Sequence, residues 1–164
     1  MSVECKPQDG PATDEDIKCI LDKAKTVAIV GISTKEDSAS LKVAKYLQEH
    51  GFRVIGVNPK VEEVLGEKCY PDLKSIPEHV DVVDIFRKPD AIAAIVEEAV
   101  EIGAGTVWMQ LGLEHEEAAQ MARHAGLSVV MNRCMKIEHT RCFPDSTTSD
   151  VPENDAPAED VQPE

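Results

Sequence analysis

The stretch VAIVGISTKEDSAS, Val27 to Ser40, has four apolar residues among its first five, turns at Gly31 and passes through a polar loop into the helical pattern LKVAKYLQEH. A buried strand, a tight turn and a helix in that order form the opening unit of a nucleotide-binding α/β fold, whose phosphate-binding turn follows the pattern G-x-G-x-x-G. Here the turn reads Gly31-Ile32-Ser33-Thr34-Lys35-Glu36, so two of the three glycines are absent. The strand and helix decide the fold. The turn leaves open which phosphate-bearing ligand it serves.

Working outward, the chain alternates. Thr13, with Asp16 three residues on, caps a short helix carrying Ile17, Ile20, Leu21 and Ala24 at helical spacing. Strand 26–31, helix 40–50, strand 53–57, an irregular stretch through Pro71 and Pro77, and strand 81–86 follow. Ile92, Ile95, Val96 and Ala99 mark one face of a helix started by Pro89 and stopped by Gly103, and then come strand 106–109, helix 114–125 and strand 127–131. Five short apolar strands separated mostly by helices predict a doubly wound α/β fold around a mostly parallel five-stranded sheet, because each parallel crossover needs an intervening segment. In such sheets ligands sit beyond the carboxyl ends of the strands, where the strand order reverses.

The 164 residues, 42% hydrophobic, suffice for one well-buried core. The expected layout is a flexible N-terminus over 1–12, a single Rossmann-like domain over 13–139 and a disordered acidic tail over 140–164. From Thr140 onward seven acids face Arg141 alone, four prolines interrupt the chain and hardly an aliphatic side chain is present, a composition that cannot offset its ordering entropy. With no apolar run near the ~20 residues of a membrane span and no signal-peptide layout, the expectation is a soluble, cytoplasmic protein. A net charge of −14 argues against nucleic acid, which needs clustered Lys and Arg. The five cysteines are scattered without a C-x-x-C pair, so reduced thiols and no metal site are expected.

Four segments should meet at the carboxyl edge: Gly31–Ser40, Asn58-Pro59-Lys60, Phe86–Pro89 and Gln110–Gly112. In the first, Gly31 relieves the turn, backbone N–H groups face outward, and the Ser33 and Thr34 hydroxyls add donors ahead of a helix N-terminus. The same residues also fit a glycine that merely ends a buried strand. In the second, NAD-binding relatives end the strand with an acid for the ribose hydroxyls, whereas this chain has Lys60, a partner for phosphate. A ligand with an additional ribose phosphate, such as coenzyme A or NADP, fits that exchange. A solvated loop lysine fits it too.

The segments VAIVGIS, HGFRVIGVNPK, LGEKCYPDLKSIPEHVDVVDIFRKPD, GAGTVWMQLGLEHEEAA and AGLSVVMNRCMKIEH, taken in order from about Ile17 to His139, resemble the single-domain CoA-binding proteins of bacteria and archaea, relatives of the CoA-binding domain of the succinyl-CoA synthetase alpha subunit. The resemblance implies that Gly31, Ile32, Ser33 and Thr34 hold the diphosphate, that Lys60, with Asn58 and Pro59 before it, meets the CoA phosphates, and that Ile85, Phe86 and Arg87 line the adenine and pantetheine path. It also implies that Gln110 and Gly112 lie near the pantetheine arm. Many relatives carry a basic residue near the start of the first long helix. Asp37-Ser38-Ala39-Ser40 stands there in this chain, with Lys35 and Lys42 as substitutes.

No reaction comes with the resemblance. No sequence remains for the phosphohistidine or nucleotide-grasping domains that acyl-CoA synthetases of this kind need. Cys134 and His139 are a candidate nucleophile and base, set against a core cysteine and a solvated histidine. The leading expectation is a module that binds CoA or an acyl-CoA without catalysis, serving an acyl-CoA-metabolising enzyme. The alternatives are an NADP-dependent oxidoreductase and an interaction protein with a vestigial nucleotide site.

Overall fold

A computed structural model describes residues 11–143. The calls for the N-terminus over 1–10 and for the tail from 144 lie outside the described residues. Helix α1 (Asp14–Lys23) starts at the expected capping box, Thr13 N donating to Asp16 Oδ2 at 2.9 Å and Asp16 N to Thr13 Oγ1 at 3.1 Å. The chain continues through β1 (Thr26–Val30), α2 (Ala39–Glu49), β2 (Arg53–Val57), β3 (Glu63–Val64), β4 (Glu67–Tyr70), β5 (Val82–Ile85), α3 (Pro89–Glu101), β6 (Thr106–Met109), α4 (Glu116–His124), β7 (Ser128–Val130) and α5 (Met135–Cys142).

The sheet has seven strands in the order β3-β4-β2-β1-β5-β6-β7, not five. The two additional strands form a hairpin in the stretch expected to be irregular. Its turn residues, Leu65 and Gly66, both have positive φ, 53° and 78°, and leucine there carries none of the Asn-Gly or Asp-Gly signal that marks such turns. β4 adds to β2 in parallel, Gly56 opposite Cys69, and β3 closes the edge antiparallel to β4. The other neighbouring pairs are parallel.

Two cores follow from the alternation of side chains along buried strands. On one face Ala28, Ile55, Val83, Ile85 and Val107 pack against Ile92, Val96, Ala118 and Ala122 of α3 and α4. On the other Val27, Ile29, Val82 and Trp108 pack against Ile17, Leu41, Leu47 and Met135 of α1, α2 and α5. Trp108 is fully buried, as a core residue should be. α5 runs past residue 139: Thr140 Oγ1 donates to Tyr46 Oη at 2.9 Å, and Arg141 bonds both Glu138 and Asp14. Cys69, Cys134 and Cys142 are free. Cys19 is disulfide-bonded, which corrects the expectation of reduced thiols there. No described helix is long and apolar enough to cross a membrane, and among the described residues no three metal-ligating side chains come together.

Candidate functional site

The sheet order reverses between β1 and β5, because β1 is followed in space by β2 on one side while the next crossover places β5 on the other. Their carboxyl ends therefore bound a crevice. Gly31 sits at its floor with φ 92°, its N–H donating to Val57 O at 2.8 Å, while Phe86 N donates to Val30 O at 2.8 Å. A Cβ on Gly31 would lie 2.6 Å from Phe86 O and 2.8 Å from Arg87 Cδ. The glycine is required twice over, by its backbone and by the close approach of the β5 end. The Arg87 side chain thus passes directly across the Gly31 turn.

The loop after Gly31 is held from β2. Asn58 Nδ2 donates to Ile32 O at 2.7 Å, and Asn58 Oδ1 accepts from Lys60 N at 2.8 Å, so one amide fixes the Gly31 turn and the Lys60 loop together. Ser33 N donates to Ser40 Oγ at 3.0 Å, and Ser33 Oγ accepts from Lys35 N at 3.1 Å. The loop thus spends the Ser33, Lys35 and Ser38 backbone donors internally, while the Ser33 hydroxyl proton stays free to donate. α2 begins at Ala39 with Ser38 as its cap, Ser38 Oγ accepting from Leu41 N at 3.2 Å.

Lys35, Lys42, Lys60, Arg87 and Lys88 are exposed, and none forms an ion pair among the described residues, although the chain as a whole is strongly acidic. Pro59 and Thr34 are exposed, and Phe86 is half-buried. Ile32 and Ile85 are fully buried core side chains. Only their backbones reach the edge, Ile32 through the carbonyl that Asn58 holds.

At the β6 end Gln110 is 8% exposed, and Gly112, φ 91°, donates its N–H to Asn132 Oδ1 at 2.7 Å. Asn132 was missed by sequence reasoning; it has a φ of 60°, a conformation asparagine tolerates and pattern reading does not detect. Asp84 was missed as well. It lies within the apolar run VDVVDIF, is 0% exposed, and neither carboxylate oxygen has a hydrogen-bond partner. Burial pushes its carboxyl well above the usual carboxylate range.

Cys134 and His139 do not form a nucleophile–base pair. The thiol is buried at the start of α5, and burial raises it above its ordinary value, an effect the Gln110 side chain partly opposes. His139 is also buried, not solvated, and its Nδ1 lies 2.8 Å from Tyr46 Oη. Burial, reinforced by nearby His50, lowers its pKa. A hollow lined by His50, Phe52, His139 and Phe143 lies beside Lys25 and Gly51, just before β1 and β2, at the amino end of the sheet and away from the crevice.

Residues 25–140 match the family described as CoA binding domain. The chain is 40% identical over 124 residues to the uncharacterized protein YneT of Bacillus subtilis, covering 76% of this chain and 92% of that protein. It is 32% identical over 139 residues to an ADP-forming acetate–CoA ligase I of Archaeoglobus fulgidus, covering 77% of this chain but only 20% of the enzyme. Among solved structures, a hypothetical protein from Pyrococcus horikoshii OT3 superposes with a TM-score of 0.79 at 48% identity, over 87% of this chain and 99% of that one.

Proposed function

The chain belongs to the CoA-binding domain family, and from that premise we propose that it binds coenzyme A, or an acyl-CoA, across the carboxyl edge of its sheet as a module without acyl-transfer chemistry of its own. The observation that carries this reading is the Gly31 turn. It is closed by the Phe86 carbonyl, crossed by Arg87 and clamped through Ile32 by Asn58. A diphosphate laid on that turn meets the Ser33 and Thr34 hydroxyls and the Arg87 guanidinium, while Lys60, ordered by the same Asn58, faces the ribose phosphate. The pantetheine arm then runs past Phe86 toward Gln110 and Gly112.

The chain spans a fifth of the acetate–CoA ligase it resembles. A separate acyl-CoA-metabolising enzyme is the counterpart such a module would serve. Calorimetric titration of the full chain with CoA, NADP and NAD tests the binding reading, with CoA expected to bind tightest. Tighter binding of NADP would overturn it in favour of an oxidoreductase. Binding of none of the three would leave an interaction protein.

A further inference from the structure

The hollow at the amino end of the sheet is walled mainly by rings. It has a volume of about 230 Å³ and is bounded by Leu21, His50, Phe52, His139 and Phe143. A cavity of ~150 Å³ admits benzene, so a substituted benzene fits here. The polar group of the hollow is His139. It is 6% exposed, and its ring lies 5.1–5.5 Å, centroid to centroid, from those of Tyr46, His50, Phe52 and Phe143. Thr140 Oγ1 lies 2.9 Å both from Tyr46 Oη, to which it donates, and from Lys136 O. The Tyr46 proton is therefore free to go to His139 Nδ1, 2.8 Å away. Burial holds the imidazole neutral, so its own proton sits on Nε2. That N–H has no partner among the described residues and, unlike the sealed His50 Nε2, it stays accessible. A side chain more than nine-tenths buried thus opens one unfilled donor into the hollow it bounds.

The surrounding charges favour an anion as the acceptor. Lys25 borders the hollow, Lys18 Nζ stands 5.8 Å from the Phe143 ring and Lys136 Nζ 5.9 Å from the Tyr46 ring, while Asp22 is the acid at the rim. None of these four forms an ion pair among the described residues, and Glu138, next to His139, is already held by Arg133 and Arg141. We propose that the hollow binds a small aromatic carboxylate, its ring seated among Leu21, Phe52 and Phe143 and a carboxylate oxygen accepting the His139 Nε2–H, with Lys25 at the mouth. This is a second site, at the opposite end of the sheet from the Gly31 crevice, and it does not depend on the CoA reading.

Calorimetric titration of the full chain with phenylacetate tests it, beside phenethylamine, which has a similar body and the opposite charge, and acetate, which has the charge without the ring. Phenylacetate is expected to bind at one site, roughly tenfold or more tighter than either control, and equally well when CoA is present in excess. His139→Phe keeps a ring and removes the donor, and should weaken phenylacetate roughly tenfold or more, the scale of a hydrogen bond to a charged group. Equal binding of phenethylamine, or undiminished binding by the variant, overturns the inference. So does acetate binding as tightly as phenylacetate, which would mean an adventitious ion only, and so does competition by CoA, which would move phenylacetate to the cationic crevice. Should His139→Phe not fold, nitrogen-15 NMR of the imidazoles in wild type decides: phenylacetate should shift the His139 Nε2 resonance far more than those of His79, His115 and His124, and the lack of such a selective shift overturns the inference.

Discussion

Lys60 and Asp84 are opposite cases of charge, one exposed on a loop and the other sealed in the sheet. Lys60 is exposed, unpaired and ordered only through its backbone N–H to Asn58. Lys60→Ala therefore leaves folding unchanged and is expected to weaken CoA binding by ~1.5–3 kcal/mol, roughly ten- to hundredfold, the scale of a charge-assisted contact. Calorimetry with dephospho-CoA locates that contact: a much smaller loss assigns it to the ribose phosphate, an equal loss to the diphosphate. Asp84 works against stability. Its folded pKa is raised above the unfolded value, so the neutral carboxyl contributes fully below the unfolded pKa and that contribution is lost as pH rises through the folded one. Asp84→Asn should be more stable than wild type at neutral pH, with the difference vanishing in acid below the ordinary carboxylate range. Urea unfolding across pH reads this directly, and a pH-independent difference would mean that the Asp84 carboxyl titrates alike in the folded and unfolded chains.

Among the elements, α5 departs furthest from expectation. Its inner face is built of polar groups: His139 against Tyr46, Thr140 bonded to the same hydroxyl, and Glu138, 6% exposed, held by Arg133 and Arg141. A helix without a marked apolar stripe leaves no period to read in MNRCMKIEHTRC, which is why a boundary at 139 looked reasonable. Cutting the chain after His139 removes one hydrogen-bonded hydroxyl, one of the two arginines on a buried carboxylate and the Phe143 ring that packs on His139. The expected loss is about 2 kcal/mol, or about 5–10 °C in melting temperature, whereas a cut after Phe143 leaves the melting temperature and CoA affinity nearly unchanged. Equal melting of the two truncations would make the end of α5 dispensable.

At the scale of the whole molecule, net charge and local charge point in opposite directions. The chain carries −14, yet Lys35, Lys60, Arg87 and Lys88 cluster along the loops that follow β1, β2 and β5 without acidic partners. An anionic ligand seated there relieves their mutual repulsion and ties three strand ends together. CoA at a hundred times its dissociation constant should stabilise the fold by about 2.7 kcal/mol, raising the melting temperature by roughly 8–13 °C. Thermal melts with CoA and with dethio-CoA should give similar shifts, because the phosphates supply most of the attraction. No shift with either would argue that the unpaired cations serve another ligand.

Local chemistry decided what the sequence by itself determined: the apolar runs and helix stops that make a doubly wound sheet, the capping box at Thr13, and the candidacy of Gly31, Lys60 and Arg87, each legible because a residue's own backbone freedom or charge announces it. What depends on which strands become neighbours was closed to it. The β3–β4 hairpin turns on Leu65, whose positive φ is paid for by sheet pairing. The Asn58 clamp spans 26 residues. Asp84 lies in a stretch that reads as a buried strand whichever way it faces, and only the parallel register, setting it between Ile29 and Trp108 in the middle of the sheet, turned that carboxyl into a buried acid without a partner.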